Sequence, residues 1–236
     1  TIQEYDGYVS TETARVLGAS TSFFRHYQNP DTESAYGSTE RETLCADGTH
    51  ETIEVPNVIS ETVDSVTGES YYELRTPKVT EVVRKHFDCT TLTGARLEVK
   101  KGGIGCFGGF LEERLFFGEQ ASGFEVARFN QGPALTPLTL ALLEDSSWYV
   151  ANYTLSTEMS FGRGAGCQFA RGGCTLGEDG YVEDSLETKG FHCDTIGDKG
   201  CDVTHNYKAR CDLLHPTDVS SHHDLFAGLS ARNEVC

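Results

Sequence analysis

Glu12 is flanked by Thr11 and Arg15 in the stretch VSTETARVLGAS, residues 9–20. Residues 11 and 15 are one helical turn apart and share a face, with the carboxylate between them. Histidines at both positions would give H-E-x-x-H-x-x-G. In that pattern two imidazoles hold a zinc ion and the glutamate acts as general base on a metal-bound water. Thr and Arg change that chemistry. A threonine hydroxyl is a poor neutral ligand, and a guanidinium carries a permanent charge that repels a dication. Without a metal, water keeps a pKa near ~15.7 rather than ~7, so Glu12 alone has no activated nucleophile. Glu12 and Arg15, at i and i+3, have the spacing of a helix ion pair.

The elements around this stretch follow from periodicity. Residues 9–17 read as a short helix with Val9, Thr13, Val16 and Leu17 on its apolar face. Residues 29–74 are polar and rich in Thr, Ser and Gly, contain short β-like runs such as residues 52–56, and read as a long, loop-rich insertion. Thr76 and Pro77 open a second helix, as N-cap and first residue, that runs to about Phe87 with Val79, Val82, Val83 and His86 on one stripe. Thr136 caps a third helix that starts at Pro137 and covers PLTLALLEDSSWYVANY. The glycine loop GGIGCFGG at 102–109 lacks the G-x-x-x-x-G-K-S/T order of a phosphate loop.

Composition narrows the compartment and the partners. The chain has 236 residues, 36 acidic against 19 basic, and a net charge of -17. Such a surface repels phosphates, which excludes nucleic acid as a partner and disfavours anionic membranes. No apolar run approaches the ~20 residues of a membrane span, and no signal-peptide pattern stands at the N-terminus. A start at Thr1 without Met points to a processed or partial chain. Nine cysteines (Cys45, Cys89, Cys106, Cys167, Cys174, Cys193, Cys201, Cys211 and Cys236) without a C-x-x-C pair read as disulfides of an oxidising compartment. An odd count leaves one unpaired, with Cys236 and Cys106 as the candidates. One N-glycosylation sequon stands at Asn152-Tyr153-Thr154 and favours the secretory route. Calcium stays open, although D-x-D-x-D-G spacing is absent. His222-His223-Asp224 is the one histidine cluster, and adjacent histidines diverge by about 100° on a helix, so they rarely chelate one metal.

LTLALLEDSSWYVANY followed by FGRGAGCQFA (161–170) resembles the leishmanolysin family of zinc metallopeptidases. HFDCTTLTGARLE (86–98) and GGIGCFGGFLEERLFFGEQASG (102–123) extend the likeness, which runs from about Tyr8 to Cys211. The resemblance implies an α+β fold. Residues 1–161 would be the C-terminal part of a metzincin-type catalytic domain without its N-terminal subdomain, and residues 162–236 a disulfide-rich, loop-rich subdomain. It aligns Glu12 with the general base, and Thr11 and Arg15 with two zinc-binding histidines. The third ligand position, in the segment Gly108-Gly109-Phe110-Leu111-Glu112-Glu113-Arg114, falls on Phe110, and the methionine beneath the zinc falls near Ala121. The implied protein is a member without catalytic or metal residues, needing neither zinc nor another cofactor. The absent subdomain would leave an apolar face open to self-association or to another protein chain. The expected role is a secreted or cell-surface structural or adhesive subunit, in an oligomer or filament. The competing readings are a peptide-binding receptor and, third, an active zinc metalloendopeptidase.

Overall fold

The computed structural model describes residues 2–45 (side chains from Val9 onward), 49–63, 70–98, 106, 108–122, 134–171, 197, 199–201 and 208–210. The architecture is mixed α+β. Helix α1, Ile2–Val16, leads through a 3-10 turn at Phe24–His26 to the short antiparallel pair β1, Gln28–Asn29, and β2, Ser34–Ala35. Two hairpin ladders follow. β3, Ser38–Leu44, pairs with β4, His50–Pro56, and β5, Ile59–Val63, pairs with β6, Ser70–Leu74. Helix α2, Pro77–Phe87, then delivers the chain to β7, Ala95–Arg96, on the far side of β6. Helix α3 spans Pro137–Asp145, a 3-10 turn Tyr153–Leu155, and α4 Cys167–Arg171; β8, Lys199–Cys201, pairs with β9, Lys208–Arg210.

The core lies where α2 and α3 pack. Val79, Val83 and Phe87 of α2 bury with Leu138, Ala141 and Leu142 of α3, and with Ile59 and Leu74 from the sheet. Asp145, the last residue of α3, fixes the pair. Its carboxylate accepts hydrogen bonds from the backbone amides of Lys78 (3.0 Å) and Val79 (2.8 Å), two of the unpaired donors that open α2. Thr76 sits at the expected cap position but makes no side-chain capping bond, so the cap comes from a residue far along the chain. At the other end of α2, the amides of Gly164 and Gly166 bind the carbonyls of His86 and Phe87 (2.8 and 2.7 Å). The His86 ring donates from Nε2 to the carbonyl of Phe161 (2.8 Å), and burial pushes its pKa down to about 4, which keeps it neutral.

Two disulfides tie these parts. Cys89–Cys167 joins the end of α2 to α4, and Cys45–Cys106 joins the end of β3 to the segment before Gly108. They span separations of 61 and 78 residues, for which chain entropy gives about 4 kcal/mol each. Cys106, expected as a candidate for the odd thiol, is therefore bonded. Cys201 is exposed and unbonded among the described residues, while Cys174, Cys193, Cys211 and Cys236 lie outside them. Ala165, Phe169 and Ala170 enter the same core as α2, so apolar packing crosses residue 162.

Three expectations need correction. Helix α1 starts seven residues earlier than residue 9, and its expected apolar face points outward: Val9, Val16 and Leu17 are exposed, while Thr11 and Ala14 are buried. The buried side is the one with small side chains, which allows close packing. Residues 29–74, expected as a loop-rich insertion with short β-like runs, hold six strands, β1 to β6, among the described residues. Most of β4 is exposed, so its residues show no apolar alternation to read. Helix α3 stops at Asp145 instead of running on to Tyr153. Ser147 takes a positive φ of 61° and turns the chain away. The Thr136 cap is present, its hydroxyl accepting from the amide of Leu138 at 3.1 Å.

Replacing Asp145 with Ala leaves two buried amides of α2 without an acceptor. We expect a loss of about 1–3 kcal/mol, read as a lower urea midpoint at unchanged slope.

Candidate functional site

Three segments converge beside the second half of α1. The first is α1 itself, which puts Thr11 and Arg15 one turn apart on one face. The second is the run Gly108–Glu112, laid along residues 96–98. The amide of Glu98 binds the carbonyl of Phe110 (2.9 Å), the amide of Glu112 binds that of Arg96 (3.0 Å), and Leu97 bridges Leu111. The third is the turn 118–122, where the amide of Leu111 binds the carbonyl of Ala121 (2.9 Å). Gln120 Nε2 donates to Ser10 Oγ at 2.9 Å and so ties that turn back to α1.

Arg15 is the centre of the arrangement. Its guanidinium carbon lies 4.0 Å from the centroid of the Phe110 ring, a cation–π contact. Its Nη1 pairs with the Glu12 carboxylate. Three of the residues singled out in the sequence, Glu12, Arg15 and Phe110, are thus in direct contact. Thr11 is buried one turn earlier, and its hydroxyl makes no hydrogen bond among the described residues. Ala121 is buried in the adjoining turn, where it offers only a methyl group.

These residues do not fit a catalytic zinc ion. Such a site needs three lone-pair donors and an open position for water. Phe110 has no lone pair, Arg15 is a cation, and the Glu12 carboxylate is engaged by Arg15. No other described group replaces them. His86 is buried against Phe161, His50 faces Glu42 at 3.8 Å on the surface, and His26 is exposed. His222 and His223 lie outside the described residues. The one cluster with metal-like spacing among the described residues is Cys45, Glu51 and Cys106, whose two sulfurs are spent on each other.

The leishmanolysin family model, Peptidase M8, matches residues 9–232. The chain belongs to the leishmanolysin family. It is 43% identical over 99 residues to a leishmanolysin-like peptidase of Drosophila pseudoobscura pseudoobscura, covering 42% of this chain and 14% of that protein. A leishmanolysin-like peptidase of Caenorhabditis elegans matches at 40% over 114 residues, 45% of this chain and 16% of the relative. The ciliated left-right organizer metallopeptidase of Mus musculus matches at 33% over 142 residues, 59% of this chain and 18% of the relative. The chain thus spans less than a fifth of the length of these relatives.

The structure adds two buried acids that spacing did not reveal. Glu112 is held between Arg96 Nε (2.7 Å) and Arg114 Nε (3.2 Å), and Arg96 also lies over the Tyr71 ring at 4.2 Å. Glu112 and Arg114 end the segment that carries Phe110, and the Glu112–Arg96 pair locks that segment to residue 96. Glu119 is fully buried and takes hydrogen bonds from the hydroxyls of Thr136 and Thr139 on α3. Desolvation pushes its pKa up from 4.5 to about 6, against those hydrogen bonds. An acid in the run GEQ, 118–120, gives no sign that it will be buried; only its partners on α3 make that tolerable.

Two measurements follow from this geometry. A double-mutant cycle with Arg15→Ala and Phe110→Leu should return a coupling of about 0.5–1 kcal/mol, measured by denaturant unfolding. Additive losses would mean that the ring and the cation do not touch. Folded Glu119 keeps its proton to higher pH than the unfolded chain does. Its stabilising contribution is complete below about pH 4.5 and is lost as pH rises through 6. Glu119→Gln should therefore gain roughly 2 kcal/mol on wild type between pH 4 and pH 7, read from paired urea titrations.

Proposed function

We propose that this chain is a leishmanolysin-family protein without peptidase chemistry, serving as a structural or adhesive subunit outside the cell or at its surface. The observation that carries this reading is the contact between Arg15 and Phe110, with Glu12 as counter-ion. On this reading Thr11, Arg15 and Phe110 stand at the three positions where relatives bind zinc, and Ala121 at that of the methionine beneath it. A monovalent cation seated on a ring then occupies ground that a dication needs. Glu12 keeps the identity of a general base while its carboxylate serves as the partner of Arg15. Neither zinc nor another cofactor is required.

The extracellular setting rests on the two disulfides, the further cysteines and the exposed sequon, and no helix among the described residues is long and apolar enough to cross a membrane. The assembly role rests on exposed apolar side chains. Leu17 sits at the end of α1, and the Phe23 and Trp148 rings meet edge to face. An uncovered surface of this kind favours association with a second copy or another protein. Residues 162–236, with six of the nine cysteines, are on this reading the disulfide-rich C-terminal part.

Elemental analysis of the purified protein should find zinc well below one equivalent, and casein should survive incubation with or without chelator. The triple variant Thr11→His, Arg15→His and Phe110→His should instead take up about one equivalent. Stoichiometric zinc and chelator-sensitive cleavage by the unaltered chain would overturn the reading. A strictly monomeric protein at high concentration, by size exclusion and negative-stain imaging, would overturn the assembly role alone.

A further inference from the structure

Beyond α3 the chain turns at Ser147 and runs along the surface to the 3-10 turn at Tyr153–Leu155. This stretch holds an unusual amount of apolar surface in water. Val150 is 98% exposed, Leu155 73% and Tyr149 40%. Between them stands Asn152, exposed, at the N-cap of the turn. Its Oδ1 accepts from the amide of Thr154 at 3.2 Å and from the hydroxyl of Thr154 at 2.7 Å. Its Nδ2 makes no hydrogen bond among the described residues. The turn is pinned from below, because the Tyr153 hydroxyl donates to the Glu144 carboxylate on α3. The acceptor amide is thus held outward with the sequon hydroxyl beside it.

We propose that Asn152 carries an N-linked glycan whose first sugars lie over Tyr149, Val150 and Leu155. The donor is an oligosaccharide attached through its anomeric carbon to a lipid pyrophosphate. Nδ2 attacks that carbon, and a C–N bond forms as the C–O bond to the pyrophosphate breaks. Nδ2 gives up one proton, and the lipid pyrophosphate leaves with the bonding electron pair. Nothing is oxidised or reduced.

The covalent tether selects this occupant over a separate partner. Tyr149 lies three residues before Asn152 and Leu155 three after it, so each is within about 11 Å of chain. Sugars rooted at Asn152 reach both without the entropy loss of association that a free partner carries. A sugar ring lays a C–H face on aromatic and aliphatic side chains and turns its hydroxyls outward. The patch becomes polar, which removes one cause of non-specific association from a protein held outside the cell. This inference depends on passage through the secretory route and not on the loss of metal chemistry, so the zinc assay leaves it untouched.

The test is secretion of the full chain from a eukaryotic cell line, followed by peptide mass spectrometry before and after native treatment with peptide-N-glycosidase. The peptide holding Asn152 should appear as a glycopeptide, and treatment should release the glycan and deamidate Asn152. Binding of 8-anilinonaphthalene sulfonate should rise severalfold on treatment. The same rise should be absent when Tyr149, Val150 and Leu155 are all replaced by Ser. Thr154→Ala should abolish the glycan and bind dye like the treated wild type. An unmodified Asn152 in the secreted wild type would overturn the proposal. So would a glycan whose removal leaves dye binding unchanged, and neither outcome depends on a variant that might misfold.

Discussion

The carboxylate of Asp145 sets the arrangement on which the other contacts depend. It ends α3 and caps α2, so the crossing of the two central helices is fixed by charge-assisted hydrogen bonds as well as by apolar packing. From that joint the constraints spread in both directions. The far end of α2 is wrapped by residues 161–166 and stapled to α4 by Cys89–Cys167. The start of α3 grips Glu119 through Thr136 and Thr139, which holds the turn that carries Gln120 and Ala121. Gln120 reaches Ser10 on α1. One helix, α3, thus connects the cap of α2 to the surroundings of Arg15.

Charge accounting explains why the Arg15 site closes on itself. A zinc ion held by three neutral imidazoles brings two positive charges and an open coordination position. Arg15 brings one charge, and Glu12 offsets it within the same turn of helix. The pair is part-exposed, with 23% and 40% of the two side chains accessible, so screening limits the worth of the ion pair itself. The ring of Phe110 contributes differently, since it covers the guanidinium face and needs no lone pair from any neighbour. The charges of Arg15 and Glu12 balance, while Arg15 Nε and the Thr11 hydroxyl are buried without a hydrogen-bond partner among the described residues.

The sequence declared some of this and hid the rest for physical reasons. Pro77 and Thr136 announced two helix starts correctly, because the signals that open a helix are local. The cap on α2 did not show, since its donors and acceptor lie 66 and 67 residues apart. Between Ser38 and Leu74 a β-like run at 52–56 showed, inside what became β4, but the ladders did not, because polar Thr and Glu occupy exposed strand positions on both sides. The buried face of α1 was misread for a related reason. Its packing side is Thr11 and Ala14, and the larger aliphatic residues Val9 and Val16 face outward, so hydrophobicity pointed the wrong way. The meeting of Arg15 with Phe110 came from likeness to a family rather than from spacing, as no local rule relates residues 95 positions apart.

Backbone and side-chain positions here are held by different constraints. A Cβ at Gly108 would stand 2.6 Å from the carbonyl oxygen of Glu98, and one at Gly94 would stand 2.3 Å from that of Leu74. A side chain at Gly108 would push the segment that carries Phe110 away from residue 98, and one at Gly94 would push β7 from β6. That limit is steric and holds whatever the segment does chemically. Positions 11, 15 and 110 are under no such limit. On the proposed reading, a metal is the one agent that would demand donors there, and without it the requirement reduces to filling the space and balancing the charge. Arg15 over Phe110, with Glu12 alongside, fills that space and balances that charge, which on the proposed reading lets the family scaffold persist without metal there.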